Sequence, residues 1–425
     1  LDLCGNTVQE TAQLRGVIAD ALGLETEQVI WSTSQTHSSP TLPGSNLPGG
    51  SSVTVRGSFD AAYCDAQRRR FMEQCVEAGR AALDSLRPAR LRAGRGFCDT
   101  MSYNARFPMP TGGVKFSRHH EEGLQSGKFF DPTIGLLVFE DEDGRALGAI
   151  FNFCAHPATM INDRYISSDW VGTARSRIEE ALSGAPAMFV QGFCGDVNCY
   201  HIFGTPAQAR NSGHKLGEAA VAALPTLSPS RSEPFDYAFE TVEIECRPMY
   251  TMDELERALD VRHRFVESLD DDPAATWFDG INLPEQFNVE QKRMTAQMQA
   301  DYLNAAKRMV EAGDSAPSTH DFTLGVVRLG DAAALIAHGE NFTATGMKIR
   351  QRSPFVHTLI CGDSNGLFGY VGDDAEIDRG GYETDSFWKL PYFGGVRLAP
   401  AKGTVDRLVE KSVKMLRKLQ RGPEE

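Results

Sequence analysis

Five times along this chain an apolar run with the length of a strand stops and is followed at once by polar residues. Residues 29–31 lead into the Ser/Thr/Gln/His segment at 32–40, and 147–151 lead into Asn152-Phe-Cys-Ala-His-Pro157. Residues 187–190 lead into Gln191 and on to Asn198, 332–337 into His338-Gly-Glu340, and 357–361 into Asp363 and on to Tyr370. Stretches of helical periodicity separate these runs, at 10–23, 65–86, 172–182, 210–224, 252–269, 290–312 and 404–419. A hairpin is expected from 133–139 and 147–151 around the acidic turn at 140–145, and a helix from Gly339-Glu340 to residue 350. Strands and helices mixed in this way predict an α/β fold, a mixed sheet with helices packed on it. In such folds the loops at the strands' C-terminal ends converge on a ligand crevice.

Charge and composition narrow the partners. Lys and Arg number 43 against 57 Asp and Glu, a net charge of −14 over 425 residues, which argues against nucleic acid because phosphate neutralisation needs a basic face. No apolar run approaches the ~20 residues of a transmembrane segment. The nine cysteines contain no CxxC pair and read as reduced thiols, an expectation of a cytoplasmic protein. Nothing calls for a nucleotide cofactor, and a small molecule is the expected partner. The opening Leu1-Asp-Leu-Cys-Gly reads as the end of a strand entering a turn, so an opening strand is expected to be missing. We expect one domain over 1–425, with the polar helices of 247–320 as an insert within it. That insert and the segment between 113 and 130 would shape the pocket mouth.

Taken singly, the polar residues are ambiguous. His156, fixed ahead of Pro157, suits a metal ligand or general base and equally a hydrogen-bonded core histidine. Glu340 at a helix start would be favoured by the helix dipole without any catalytic role. Tyr370 would ordinarily be assigned to packing. Gln35 and His37 stand two apart, so on extended chain they share a face. Asp169 suits a helix N-cap and Asp196 a turn. His119, His120, His201 and His338 carry no arguable role.

In order, the segments resemble the neutral/alkaline ceramidase-like family, in particular its shorter bacterial members. The resemblance rests on Ser34-Gln-Thr-His-Ser-Ser-Pro40, Asn104-Ala-Arg106, Asp131-Pro-Thr-Ile-Gly135, Ala155-His-Pro157 and Asp169-Trp-Val-Gly172. It continues through Gly195-Asp-Val-Asn198, Gly339-Glu340, Gly369-Tyr-Val371 and Gly381-Tyr-Glu383. It implies a ceramidase-like catalytic domain without the C-terminal β-domain of full ceramidases. It also implies a catalytic zinc on His156, Glu340 and Tyr370 that activates water for amide cleavage.

Three departures bear on that implication. Gln35 stands where the family has the remaining ligand, an imidazole, and a neutral amide is a poor zinc donor; His37 is expected to turn inward in its place. Asn198-Cys199 replaces a Ser-Pro pair thought to assist the chemistry, and Ala105 replaces an arginine that neighbouring Arg106 would supply. The expectation is therefore a metal-dependent hydrolase of a smaller amide or ester than ceramide. His37, His156, Glu340 and Tyr370 would hold the metal. Asn198 and Arg106 would face the developing oxyanion or the substrate's polar end, His37 would serve the chemistry, and Gln35, Asp169, Asp196 and Tyr382 would support the site or bind substrate. Metal-free lyase or glycosidase chemistry, with His37 or Glu340 as acid and base, is the alternative, and a non-catalytic ligand-binding scaffold the third reading.

Overall fold

A computed structural model describes residues 1–39, 61–110, 112–161, 165–278, 281–390 and 395–421. Pro40 of the 34–40 segment falls outside these residues, as does the Gly/Pro/Ser-rich stretch at 42–52. Two sheets carry the fold. The first has five strands, in the order Ala187–Gln191, Ala146–Phe153, Thr133–Glu140, Arg90–Phe97 and Ser228–Ser230. The second has four, in the order Phe235–Glu245, Thr319–Leu329, Ala332–Ala337 and His357–Cys361. Most pairings are antiparallel; Ala146–Phe153 with Ala187–Gln191 and Ala332–Ala337 with His357–Cys361 are parallel.

The period-2 alternation of strand side chains explains the layering. In Thr133–Glu140, Ile134, Leu136 and Val138 pack with Trp170, Ile178, Leu216 and Ala220 of the helices Trp170–Ala181 and Pro206–Ala223. Leu137 and Phe139 point the other way and meet Ile336 and Leu359 of the second sheet. The second sheet repeats the scheme, with Ala333, Leu335 and Ala337 facing Leu408, Val413 and Leu416 of the terminal helix Thr404–Arg421. Two sheets packed face to face, with helices on both outer surfaces, make a layered α/β architecture of the expected class.

Two local expectations are corrected. Residues 29–31 form no strand: Trp31 is buried, but the segment is held by Asn365, whose side chain accepts from Trp31 N–H at 2.9 Å, and by a bridge between Ser32 and Ser364. Glu340 does not begin a helix. Glu340–Asn341 is a short strand, and the helix starts beyond it as Thr343–Arg352. The strands Arg90–Phe97 and Phe235–Glu245 are additional to those read from sequence. In the former, arginines alternate with small residues; the latter is mostly half-buried or exposed, so neither shows a strong apolar pattern.

Candidate functional site

The four strands of the two parallel pairs end side by side, and the loops leaving them are laced together by backbone hydrogen bonds. Gly192 N–H donates to Phe153 O at 2.8 Å, Gly362 N–H to Gln191 O at 2.9 Å, and Gly195 N–H to Asn341 O at 3.0 Å. The 33–37 segment joins them through His37 N–H to Pro157 O, also at 3.0 Å. Close approach demands glycine here: a Cβ on Gly195 would stand 2.9 Å from the carbonyl carbon of Glu340. Gly339, at φ 66°, adopts the left-handed turn that aims the next residue inward.

Within this mesh His156 Nε2 lies 3.0 Å from Glu340 Oε2, both side chains buried. His156 Nδ1 is 3.0 Å from the Val197 carbonyl; both this oxygen and the Glu340 carboxylate are acceptors, so both contacts are made at once only by the doubly protonated ring. Burial opposes a charge on His156, but the hydrogen bond and negative charge of Glu340 outweigh it and raise its pKa. Glu340 is the register partner of Tyr370 in a two-residue parallel ladder, and the Tyr370 hydroxyl bonds the Glu340 carboxylate. Burial, and then that carboxylate's charge, push the phenol well above its ordinary range, so Tyr370 is a neutral donor. His37 sits beside His156 with ring centroids 5.7 Å apart, its Nδ1 2.8 Å from the Gln35 carbonyl. Burial and the neighbouring His156 hold it down to about 4, so it is uncharged at neutral pH.

Other expected residues lie behind this group. Asp196 accepts Thr343 N–H and an Asn104 amide hydrogen, both at 2.7 Å, which caps the helix after Glu340 from another loop. Asp169 caps the helix Trp170–Ala181 and also accepts Met160 N–H at 2.9 Å; Trp170 Nε1–H in turn reaches the His156 carbonyl at 3.3 Å. Asn198 pairs by backbone with the His156 strand end, while its side chain donates to Ser117 O at 3.2 Å. Tyr382 packs against Tyr370, with ring centroids 5.9 Å apart.

Arg106 departs from expectation. Its guanidinium is fully buried and donates to Glu376 at 2.6 Å, Glu383 at 2.5 Å and the carbonyls of Glu376 and Gly380. Committed to these acceptors, it clamps the 374–383 segment and does not present itself to a substrate.

Three residues without a sequence-level role prove central. Gln191 Nε2 donates to Ser34 O at 3.0 Å and Ala155 O at 2.9 Å, pinning the Gln35–His37 segment to the His156 turn. The Cys194 thiol meets Gln35 Oε1 at 3.3 Å and Asp363 Oδ2 at 3.7 Å. Asp363 is buried, its Oδ1 has no hydrogen-bond partner, and burial followed by the charge of Glu340 holds its carboxyl well above the usual range. The available signal was an acidic residue two positions past an apolar strand.

The donors present, an imidazole nitrogen, carboxylates and a phenol, are of the kind that hold a divalent cation. The 3.0 Å between His156 Nε2 and Glu340 Oε2 approaches the ~3.3 Å edge of a tetrahedron with bonds of ~2.0 Å. Among the described residues, however, no group of three His, Cys, Asp or Glu side chains is placed to hold a metal ion.

No family model matches the chain, and no curated protein matches it in sequence. In solved structures it is similar to the neutral ceramidase from Pseudomonas aeruginosa, at 19% identity and a TM-score of 0.61, over 97% of this chain and 65% of that one. A ceramidase complexed with C2 matches at 18% identity and the same TM-score, over 97% and 66%. The chain therefore has a ceramidase-like fold and spans just under two thirds of the length of these enzymes.

Proposed function

Starting from a fold shared with neutral ceramidases, we propose that this chain is a hydrolase that cleaves an amide bond, or the related ester, of a small molecule other than ceramide, with the help of a divalent cation such as zinc. The observation that supports this reading is the buried His156–Glu340 pair at 3.0 Å, with Tyr370 in register beside it. His156, Glu340 and Tyr370 would hold the cation, with His37 at its margin. A cation bound there supplies polarisation of the substrate carbonyl and a bound water with a pKa near ~7.

The protein's own groups do the remaining work. Val197 O holds the Nδ1 side of the His156 ring, which leaves Nε2 and the Glu340 carboxylate directed at the same space. His37, uncharged, offers Nε2 as an acceptor for a proton of the attacking water and can return it to the leaving nitrogen. The neutral Tyr370 hydroxyl donates its one hydrogen to Glu340 and so keeps that carboxylate turned into the site. Asp169, Asp196 and Asn198 hold the loops that carry these groups, and the helices of 247–320 would border the entrance as an insert. A carbonyl chemistry of this kind needs no nucleotide.

The test is elemental analysis and a panel of N-acyl and ester substrates. Near one divalent ion per chain is expected, with amide cleavage lost in Glu340→Ala together with the ion. Full activity in chelated, ion-free protein would overturn the proposal. Gln35, in place of an imidazole, favours a second reading in which His156 and Glu340 act as acid and base without a cation; chelator-resistant activity with a bell-shaped pH profile is its signature.

A further inference from the structure

Four cationic side chains stand between residues 106 and 128, and three of them bond carboxylates. Arg106 bonds Glu376 and Glu383, Lys115 bonds Glu122, and Lys128 bonds Glu376. Arg118 is the fourth. It is half-buried, and among the described residues no carboxylate or carbonyl bonds its guanidinium. Its contact is the face of Phe116, with 4.9 Å from the guanidinium carbon to the ring centroid. Burial pulls its pKa down to about 10, against nearby Tyr382, Tyr103, Glu383 and Glu285, so it is charged at neutral pH. Of those two carboxylates, Glu383 is taken by Arg106, and Glu285 is exposed beside His119 at 3.8 Å. A half-buried guanidinium with no anion on it forgoes the paired hydrogen bonds its planar fork is shaped to make.

The backbone carries Arg118 to the candidate site. Arg106–Pro108 and Val114–Phe116 pair as a short hairpin, and Ser117 N–H, just past its end, donates to Ala105 O at 2.7 Å. Ser117 O accepts from the Asn198 side chain at 3.2 Å, and Asn198 is bridged by backbone to His156. Arg118 is the next residue. A second route leads to the same place: Phe116 packs on Tyr382 at 5.5 Å between centroids, and Tyr382 on Tyr370 at 5.9 Å. Two rings therefore separate the unbonded cation from Tyr370. The rest of the chain, at a net charge of −14, does not favour an anion, so an anionic ligand needs a local charge of this kind.

We propose that Arg118 binds a carboxylate carried by the substrate, which makes the substrate class amides of small acids, N-acyl amino acids being the simplest. The inference rests on the amide-hydrolase reading given above and adds to it the group that the site recognises. Two parallel N–H donors hold the carboxylate, and the Phe116 and Tyr382 rings lie between it and Tyr370.

The experiment compares N-acylglycines of graded acyl length with the matching N-acylglycinamides, pairs that differ in charge, and reads release of the free amine. In the wild type, kcat/KM for the acid is expected to exceed that for its partner by about tenfold or more, the scale of a charge-assisted hydrogen bond. In Arg118→Met this ratio is expected to collapse towards parity through a raised KM for the acid, and in Arg118→Lys to be kept in part. A wild type that cleaves both members alike, or Arg118→Met with the preference intact, would overturn the assignment while leaving the hydrolase reading standing. Cleavage of no member counts against the hydrolase reading, and Arg118 is then judged by calorimetry on the same pairs. Tighter binding of the acid, abolished in Arg118→Met, supports the carboxylate site; equal or absent binding overturns it. Should Arg118→Met fail to fold, Arg118→Gln, polar and uncharged, is read in the same way.

Discussion

Glu340 and Tyr370, thirty residues apart in the chain, are directly paired in a parallel two-residue ladder. Side chains at paired positions project to the same face, so the carboxylate and the phenol reach one space, where they hydrogen-bond. His156 arrives from the other sheet and meets Glu340 at 3.0 Å. The centre is thus assembled by both sheets, and its geometry depends on how they pack.

Tyr370→Phe tests this pairing with little change in shape. Amide cleavage is expected to fall by roughly 10²-fold through kcat, because the Glu340 carboxylate loses the donor that positions it. Stability should drop by about 1–3 kcal/mol, because Glu340 loses a buried donor. Steady-state kinetics and urea unfolding read the two effects, and unchanged kcat would remove Tyr370 from the chemistry.

Arg106→Ala is expected to destabilise the fold by about 3–5 kcal/mol, because it leaves the buried Glu383 carboxylate without its ion-pair partner, while Glu376 keeps Lys128 and Arg379. Arg106→Lys should recover only part of this, since an ammonium cannot reach separate carboxylates and two carbonyls in the guanidinium's planar geometry. A folded Arg106→Lys enzyme with normal stability and a much raised KM would instead assign Arg106 to substrate.

Gln191→Glu replaces a double donor with an acceptor facing the carbonyls of Ser34 and Ala155. A loss of about 2–4 kcal/mol is expected from two carbonyls left without a donor. Amide exchange at Gln35–His37 should quicken more than in the sheets, because this tie is what pins that segment. Uniform exchange with native stability would contradict the pinning role.

Asp196 sets a pH dependence. Burial raises its carboxyl to about 7, against the hydrogen bonds from Thr343 and Asn104. The folded state therefore holds this proton more tightly than the unfolded chain does. Its contribution to stability is full below about pH 4 and is lost as pH rises towards 7, by up to roughly 4 kcal/mol. The difference in unfolding free energy between wild type and Asp196→Asn should shrink over that window. A difference that stays flat from pH 4 to 7 would show that Asp196 is ionised throughout.

Some of this was readable from residue order. The strand Ala332–Ala337 is an unbroken apolar run and the helix Met252–Asp271 carries a period-3.6 pattern, each strong enough to locate its element. Burying an apolar face is a local requirement that leaves a local trace. Arg90–Phe97 left little trace because arginines and glycines interrupt both of its faces, so no period-2 apolar pattern forms.

What residue order established here was the class of fold and the loops that would carry chemistry, since an apolar strand followed by polar residues is written in neighbouring positions. Only the packed molecule decided roles. Arg106 became a buried clamp, Glu340 left its expected helix start for a ladder with Tyr370, and Asp363 emerged as an acid with an oxygen lacking a donor. Those outcomes depend on which distant groups end within hydrogen-bonding distance, and contacts between residues 33, 156, 191, 339 and 363 leave no periodic mark along a single chain.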